Sequence, residues 1–371
     1  MLLYRGRDEI LARSERTVKE FISGWQHRFL QFANQCRGDT IVFRRSETHP
    51  QGIDMTSLLY LFLDGVGLGP DTEDNPFVSA ATPHMRALIG RQLIDGPAVT
   101  RDDVLFRGID ATMGVEGLPQ SATGQTALFT GINAAQAVGM HIATYPTQAL
   151  RTIIAEHSLF KRAAQAGRRV TFANPFHAVY WQAVAEGNAR LSATTLAIQA
   201  AGVAFRDLSD LERGEAVFWD ITHEAQATRR FRTTRRGTSP GDRPVRSYPF
   251  PVAPIAAEEA GRRLAALAAA HDLTLYESFL TDLSGHRRLP FSPEDTIATI
   301  DTFLGGLLRY RAPDTTLVLT SDHGNLETRS FKGHTLNPVP LLVVGPAVGY
   351  FHEVSAITHI APAMLRALDV V

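Results

Sequence analysis

Residues 55–70, MTSLLYLFLDGVGLGP, contain a continuous apolar run at 58–63 that ends in an aspartate and a glycine-rich turn. A run without polar alternation is typical of a central strand that is covered on both faces. Asp64 follows the run directly, and the glycines of DGVGLG allow the backbone to turn tightly beside it. The stretch therefore predicts a buried strand with a functional side chain at its carboxyl end.

The rest of the chain alternates short apolar runs with amphipathic patterns. Further strand candidates lie at 316–320, 341–344 and 170–172. Helix candidates lie at 146–166, 255–271 and 293–310. The last of these begins with Ser292 as N-cap and Pro293 at the first helical position. The alternation predicts an α/β fold with a mostly parallel central sheet flanked by helices.

The composition is typical of a globular protein from a reducing compartment. The chain has 371 residues, of which 44% are hydrophobic and 20% charged, enough to bury a core. Its formal net charge of −1 gives no general attraction for nucleic acid or anionic lipid. The single Cys36 excludes an internal disulfide and a cysteine-rich zinc module. The sequence has no membrane-length apolar run or signal-peptide pattern. We therefore expect a cytoplasmic protein without nucleic-acid or membrane partners.

Residues 1–54 differ from the rest of the chain, because they have mixed charges and no strong hydrophobic period. Two interpretations remain open. The segment is a loosely attached extension, with Met55 as the natural start, or it forms an ordinary helical prefix around residues 8–33.

Residues 229–246, RRFRTTRRGTSPGDRPVR, form a predicted loop rich in arginine. The arginines are Arg229, Arg230, Arg232, Arg235, Arg236, Arg243 and Arg246. A guanidinium fork matches phosphate oxygens, so the first five are candidates to bind an anionic substrate. A solvent-exposed charged loop without a ligand is the other interpretation.

Polar residues next to strand ends are where open α/β sheets bind ligands. Alone, an aspartate or histidine there is more often a turn former or a structural residue. Six such residues are expected at one edge of this sheet: Asp64, Asp282, His286, Asp322, His323 and His334. Carboxylates and imidazoles together suit a pair of Zn²⁺ or Mn²⁺ ions, with Mg²⁺ as a further candidate.

Ser121, in LPQSATGQTALFTG, is the candidate nucleophile. It begins a helical run, where the helix dipole and a bound metal ion favour an ionised hydroxyl. Thr123 is an alternative nucleophile, and either residue could instead be a simple N-cap.

The order of motifs DGVG, Ser121 in its small-residue turn, DxxGH, DHGN and GHTxNPVP resembles the alkaline phosphatase superfamily of metalloenzymes. Within it, the chain is similar to the branch of cofactor-independent phosphoglycerate mutase and phosphopentomutase, over residues 55–135 and 272–371. The resemblance implies a three-layer α/β core, at 55–136 and 272–371, interrupted by an inserted α/β cap domain at 137–271.

The resemblance also implies roles for individual residues. Asp64, Asp322, His323 and Ser121 would surround one divalent ion, and Asp282, His286 and His334 would hold another. Ser121 would form a phosphoserine intermediate from a small phosphate monoester, resolved by water in a phosphatase or by a second hydroxyl in a phosphomutase. Asn325 and Asn337 would orient the ligands or form turns.

The chain also departs from that branch. The mutases have His where this chain has Gln125 after Gly124, and the cap is shorter than that of phosphoglycerate mutase. A phosphodiesterase or other hydrolase of the superfamily, or a metal-binding protein without turnover, therefore remains open. The glycine spacing after 58–63 excludes a dinucleotide site, and no C/S-x-P-x-R turn indicates a sulfatase.

Overall fold

The structure is a computed structural model, and it describes residues 57–227 and 252–370. The predicted extension at 1–54 and the arginine-rich stretch at 229–246 lie outside the described residues. Within the described ranges, no helix combines the length and apolarity that crossing a membrane requires.

The described residues form a seven-stranded sheet and a separate pair of short strands. The strands are β1 (Ser57–Leu63), β2 (Val99–Arg101), β3 (Val104–Ile109), β4 (Val170–Phe172), β5 (Pro175–Phe176), β6 (Arg206–Asp207), β7 (Leu273–Ser278), β8 (Thr315–Thr320) and β9 (Val339–Val344). The order in the large sheet is β2-β3-β9-β8-β1-β7-β4, and β5 pairs with β6.

Helices connect the strands and cover the sheet. The first seven are α1 (Pro76–Ser79), α2 (Pro83–Ile89), α3 (Ser121–Thr130), α4 (Ala134–Val138), α5 (Gln148–His157), α6 (Leu159–Gln165) and α7 (Ala178–Ala185). The others are α8 (Ala193–Ala200), α9 (Leu208–Glu212), α10 (Glu224–Ala227), α11 (Ala257–Ala269), α12 (Leu280–Gly285), α13 (Pro293–Tyr310) and α14 (Ile360–Ala367).

The large sheet is mostly parallel, as the sequence predicts. β4, β7, β1 and β8 are parallel neighbours. β9 pairs antiparallel with β8, and β3 pairs antiparallel with β9, so β3 runs in the direction of β8. Among the described strands of the large sheet, only β9 and the edge strand β2 run antiparallel to β1.

β1 lies at the centre of the core, and every one of its residues is buried. Its side chains alternate between two hydrophobic clusters, one containing Tyr60 and Phe62 and the other Leu59 and Leu61. Helices α3, α5, α6, α8 and α14 contribute to the first cluster, and α2, α11 and α13 to the second. The core therefore has three layers, with the sheet between two layers of helices. Each large apolar side chain that is buried contributes about 1.5–3 kcal/mol to the free energy of folding, so both helical layers stabilise the central strand.

The predicted strands at 58–63, 170–172, 316–320 and 341–344 are confirmed within a few residues, as are the helices at 255–271 and 293–310. Ser292 caps α13 as predicted, with its hydroxyl accepting from the Asp295 amide. A single helix over 146–166 is wrong. Ser158 adopts ψ 124° and ends α5, and its hydroxyl caps α6 at the Lys161 amide.

The segment predicted as an inserted cap, 137–271, includes parts of the core layers. β4 pairs with β7 in the large sheet, and α5, α6 and α8 cover one of its faces. A smaller cluster of Leu211, Ala216 and Phe218 lies apart from the two main clusters. The domain boundary at 137–271 stays a prediction.

Candidate metal centre

The site forms at the edge of the sheet where β1, β7 and β8 end. These three strands are parallel neighbours, so their carboxyl ends lie side by side. Asp64 follows β1 directly, Asp322 lies just beyond β8, and Asp282 lies in α12 after β7. Because β9 is antiparallel to β8, the segment before β9, with His334, reaches the same edge.

Asp64, Asp322 and His323 form the first cluster. Their potential ligand atoms all lie within 4.8 Å of one another. His323 Nε2 is 3.4 Å from Asp64 Oδ1 and 3.5 Å from Asp322 Oδ2. All three residues are buried. Two carboxylates and an imidazole at this spacing are a suitable donor set for a divalent cation.

Asp282, His286 and His334 form the second cluster, again with potential ligand atoms within 4.8 Å of one another. Asp282 Oδ1 is 3.2 Å from His286 Nε2 and 3.9 Å from His334 Nε2. The Nδ1 atoms of His286 and His334 lie 2.7 Å and 2.8 Å from the carbonyl oxygens of Lys332 and Pro119. Because a carbonyl can only accept, Nδ1 carries the proton in each neutral ring, and Nε2 is left to bind a cation.

The two clusters are adjacent. The rings of His323 and His334 stack with their centroids 3.6 Å apart and their planes 14° from parallel. Asn325, in the loop of the first cluster, donates from Nδ2 to Asp282 Oδ1 at 2.8 Å. The arrangement therefore suits a pair of neighbouring ions better than two independent sites.

Ser121 presents its hydroxyl to the first cluster, at 3.0 Å from His323 Nε2. It is the first residue of α3, so the positive end of the helix dipole favours negative charge there. Thr123 is buried, and its hydroxyl donates to the Gln120 carbonyl and accepts from the Ile142 amide. Of the two candidate nucleophiles, Ser121 is the one whose hydroxyl is available at the clusters.

Burial and crowding of negative charge dominate the electrostatics. Burial, followed by the charge of Asp282, raises the pKa of Asp322 to about 8, and burial also raises the pKa of Asp64. Burial opposes ionisation of Asp282 too, but the contact with His286, followed by the nearby His323, lowers its pKa to about 2. The same contact raises the pKa of His286, so without a cation the ring of His286 tends to be protonated at both nitrogens. Burial, with the nearby His334, lowers the pKa of His323 to about 3, so its ring is neutral. A cation binds to neutral imidazoles and ionised carboxylates, so its binding would displace protons held at Asp322 and His286.

The residues present fit a divalent cation. Asp64 Oδ1 is buried and has no hydrogen-bond partner among the described residues, which is costly for a carboxylate oxygen unless a cation satisfies it. The structure brings together Ser121 and all six of the aspartate and histidine residues predicted from the sequence. Their roles as ligands and nucleophile stay predictions. The predicted anion-binding residues Arg229, Arg230, Arg232, Arg235 and Arg236 lie outside the described residues.

Glu327 is a buried residue of the site that the sequence reasoning missed. Its carboxylate accepts from the Gly67 amide at 3.0 Å, the Asn325 amide at 2.8 Å and Asn337 Nδ2 at 3.0 Å. It also accepts from the Thr335 hydroxyl. One carboxylate thus connects the loop after β1, the loop after β8 and the segment before β9. Asn325 donates to Asp282 and Asn337 donates to Glu327; their orienting role stays a prediction.

We expect Glu327→Ala to lower the free energy of unfolding by about 3–5 kcal/mol, because buried backbone amides lose a charged partner. Urea denaturation measures the change. Glu258→Ala is the control, since Glu258 is exposed and pairs with Arg309 at the surface, where loss costs about 1 kcal/mol or less. Equal effects of the two substitutions would contradict the connecting role of Glu327.

A second buried carboxylate, Glu277 on β7, lies outside both clusters. It accepts from the hydroxyl of Thr194, and its backbone amide donates to Asn174 Oδ1 at 2.9 Å. Burial raises its pKa from 4.5 to about 7, with the Thr194 hydrogen bond acting against the rise. The folded protein therefore holds this proton over a pH range in which the unfolded chain has lost it.

We expect Glu277→Gln to stabilise the protein at pH 8 by up to about 3 kcal/mol, with no gain below pH 4.5. The folded pKa exceeds the unfolded value, so the wild type loses stability as pH rises from 4.5 to about 7. Glutamine does not titrate and still accepts from Thr194. Urea denaturation at both pH values measures the difference, with the exposed Glu353→Gln as control. Equal stability of wild type and Glu277→Gln at pH 8 would show that Glu277 ionises freely.

Comparisons with known proteins found similar sequences. A model of the Metalloenzyme superfamily matches residues 252–370, a range that includes five of the six aspartate and histidine residues of the clusters. The curated relatives include the 2,3-bisphosphoglycerate-independent phosphoglycerate mutase of Dinoroseobacter shibae, 29% identical over 113 residues, 28% of this chain and 22% of that protein. The phosphopentomutase of Limosilactobacillus reuteri is 42% identical over 66 residues, 17% of this chain and 16% of that protein.

These matches support an alkaline phosphatase superfamily member. This confirms the resemblance inferred from the motifs, in a superfamily of metal-dependent phosphoryl-transfer enzymes. The matched segments span less than a quarter of the length of these curated relatives.

Two solved structures align with most of the chain. The PH0037 protein from Pyrococcus horikoshii aligns with a TM-score of 0.49 and 14% identity, over 86% of this chain and 98% of that one. The alkaline phosphatase from the Antarctic bacterium TAB5 aligns with a TM-score of 0.46 and 13% identity, over 85% of this chain and 98% of that one.

Proposed function

We propose that this protein is a two-metal phosphoryl-transfer enzyme, a phosphatase or phosphomutase that acts on a small phosphate monoester through a phosphoserine at Ser121. The observation that carries the proposal is the position of Ser121 Oγ, 3.0 Å from His323 Nε2 and beside the two ligand clusters. A hydroxyl, two cation sites and a helix amino terminus at one point are the parts that such a reaction needs.

The proposal assigns one ion to Asp64, Asp322 and His323, with Ser121 as a further ligand, and the other to Asp282, His286 and His334. The mixed carboxylate and imidazole ligands favour Zn²⁺ or Mn²⁺, with Mg²⁺ as a further candidate. When bound, such ions supply positive charge that stabilises the attacking and leaving oxygens of an in-line displacement.

The chain's own residues then carry the covalent steps. Ser121 Oγ releases its proton to solvent and forms a bond to phosphorus, while the ester bond to the substrate oxygen breaks and that oxygen takes up a proton from solvent. The amino terminus of α3 favours the developing negative charge. Water that attacks the phosphoserine would release inorganic phosphate, whereas a second substrate hydroxyl would give a positional isomer.

Phosphorus NMR separates these outcomes. The panel includes phosphoglycerates and pentose phosphates, because the relatives named above are a phosphoglycerate mutase and a phosphopentomutase, together with an aryl phosphate and a phosphodiester. With Mn²⁺ or Zn²⁺ present, release of inorganic phosphate from a monoester indicates a phosphatase, and migration of phosphate indicates a mutase. Turnover of the diester alone would replace the proposal with a phosphodiesterase, and no turnover of any compound would favour a binding protein.

A further inference from the structure

Gln125 lies one helical turn after Ser121 on α3, so the two side chains share a face of the helix. The side chain is buried, with 4% of the residue exposed. Its Nε2 is 3.2 Å from Asp64 Oδ2 and 3.2 Å from Asp322 Oδ2. One amide group therefore bridges the two carboxylates of the first cluster, which come from different strands.

The chemistry of the amide suits this position. Two buried carboxylates repel each other, and an NH₂ group offers one hydrogen to each of them. Because the amide carries no charge, it does not compete with a divalent cation as lysine or arginine would. By engaging Oδ2 of Asp64, it leaves the buried and unpartnered Oδ1 of that residue to face an ion.

The backbone of α3 is fixed at the same point. Gly124 packs so closely against Asp322 that a Cβ atom on Gly124 would lie 2.9 Å from the Asp322 carbonyl oxygen and 2.9 Å from the Asp322 Cβ. Such a distance is essentially never tolerated, so only glycine allows the approach. This close contact fixes the position of α3, and with it Gln125, relative to Asp322.

We propose that Gln125 is a positioning residue that holds Asp64 and Asp322 in the orientation that binds a divalent ion. The inference rests on the proposed function, since it takes the first cluster to be a metal site. The amide of Gln125 donates to the two proposed ligands, so its effect is expected in metal affinity before any effect on chemistry. Loss of a group that orients metal ligands typically lowers affinity by about 10- to 100-fold.

Calorimetric titration of the full chain with Co²⁺ tests the proposal. His334→Ala disables the second cluster, so the remaining binding step reports the first. In that background we expect Gln125→Met to weaken binding by about 10- to 100-fold and to change the visible Co²⁺ spectrum. Gln182→Met is the matched control, because Gln182 donates to the Glu186 carboxylate at 2.9 Å on the surface. It should leave both affinity and spectrum unchanged.

Each outcome bears on a separate claim. Unchanged Co²⁺ affinity and spectrum in Gln125→Met would overturn the positioning role while leaving the two-metal proposal intact. A wild-type chain that binds no Co²⁺, Zn²⁺ or Mn²⁺ would instead overturn the proposed function. If circular dichroism shows that Gln125→Met does not fold, Gln125→Asn carries the test, since it keeps an amide but withdraws it from the carboxylates. Wild-type affinity in that variant would overturn the role.

Discussion

Ser121→Ala should lose phosphoryl transfer by about 10⁴- to 10⁶-fold, because removal of a covalent nucleophile leaves only the contribution of binding and electrostatics. Divalent ions should still bind, since Asp64, Asp322 and His323 remain. Steady-state kinetics on the substrate identified by phosphorus NMR measures the loss. Intact-mass spectrometry after acid quenching should find a phosphorylated wild-type chain and an unmodified variant.

Thr123→Val is the matched control for this prediction. The Thr123 hydroxyl bonds to backbone groups of Gln120 and Ile142, so its loss should cost stability of about 1 kcal/mol and leave the chemical step largely unchanged. The reverse pattern, with an active Ser121→Ala and an inactive Thr123→Val, would move the nucleophile to Thr123. Full activity in both variants would leave water as the direct nucleophile.

Some site residues can be predicted from the sequence because they directly follow an apolar run. The run at 58–63 is apolar and the strand at 315–320 has an apolar centre, and both are buried throughout, so the aspartates after them, Asp64 and Asp322, are recognisable in the sequence. His334 is a different case, because it precedes a strand. It reaches the same edge since β9 is antiparallel, and strand direction is not encoded in an apolar run.

The missed part depends on contacts between distant segments. Glu327 follows DHGN in the sequence, but its role is visible only when Gly67 and Asn337 arrive from other loops. Gln125 is recognisable as a departure from the mutases, yet the bridge to Asp64 and Asp322 joins residues 61 and 197 positions apart. The break between α5 and α6 at Ser158 also depends on tertiary packing, because the Ser158 hydroxyl donates to the Ala197 carbonyl of α8. The amphipathic period of 146–166 carries no sign of that contact and therefore predicts a single helix.

In the metal centre, the proposed ligands are oriented by residues that are not themselves ligands. The carbonyl oxygens of Pro119 and Lys332 fix the imidazoles, and Glu327 joins three loops. The contacts to the imidazoles come from neutral backbone carbonyls, whereas Glu327 is held by neutral backbone, hydroxyl and amide donors. A cation is then the group best able to offset the repulsion of Asp64, Asp282 and Asp322.

The active protein should contain about two divalent ions per chain, as a paired metal centre requires, and chelation should abolish activity until metal is restored. Asp322→Ala and His334→Ala disable different clusters, so each should reduce the stoichiometry to about one ion and abolish turnover. At ion concentrations about 100 times the dissociation constant, each occupied site adds about 2.7 kcal/mol to the free energy of unfolding. Chelation should therefore also lower the melting temperature of the wild type.

Elemental analysis by mass spectrometry gives the stoichiometry, and thermal unfolding with and without chelator gives the stability. The controls are Asp314→Ala and His352→Ala, which remove exposed residues of the same types and should keep both ions and full activity. Metal-free protein that retains turnover would end the two-metal account. Loss of both ions in each cluster variant would contradict independent occupancy of the two clusters, which meet where His323 stacks on His334 at 3.6 Å.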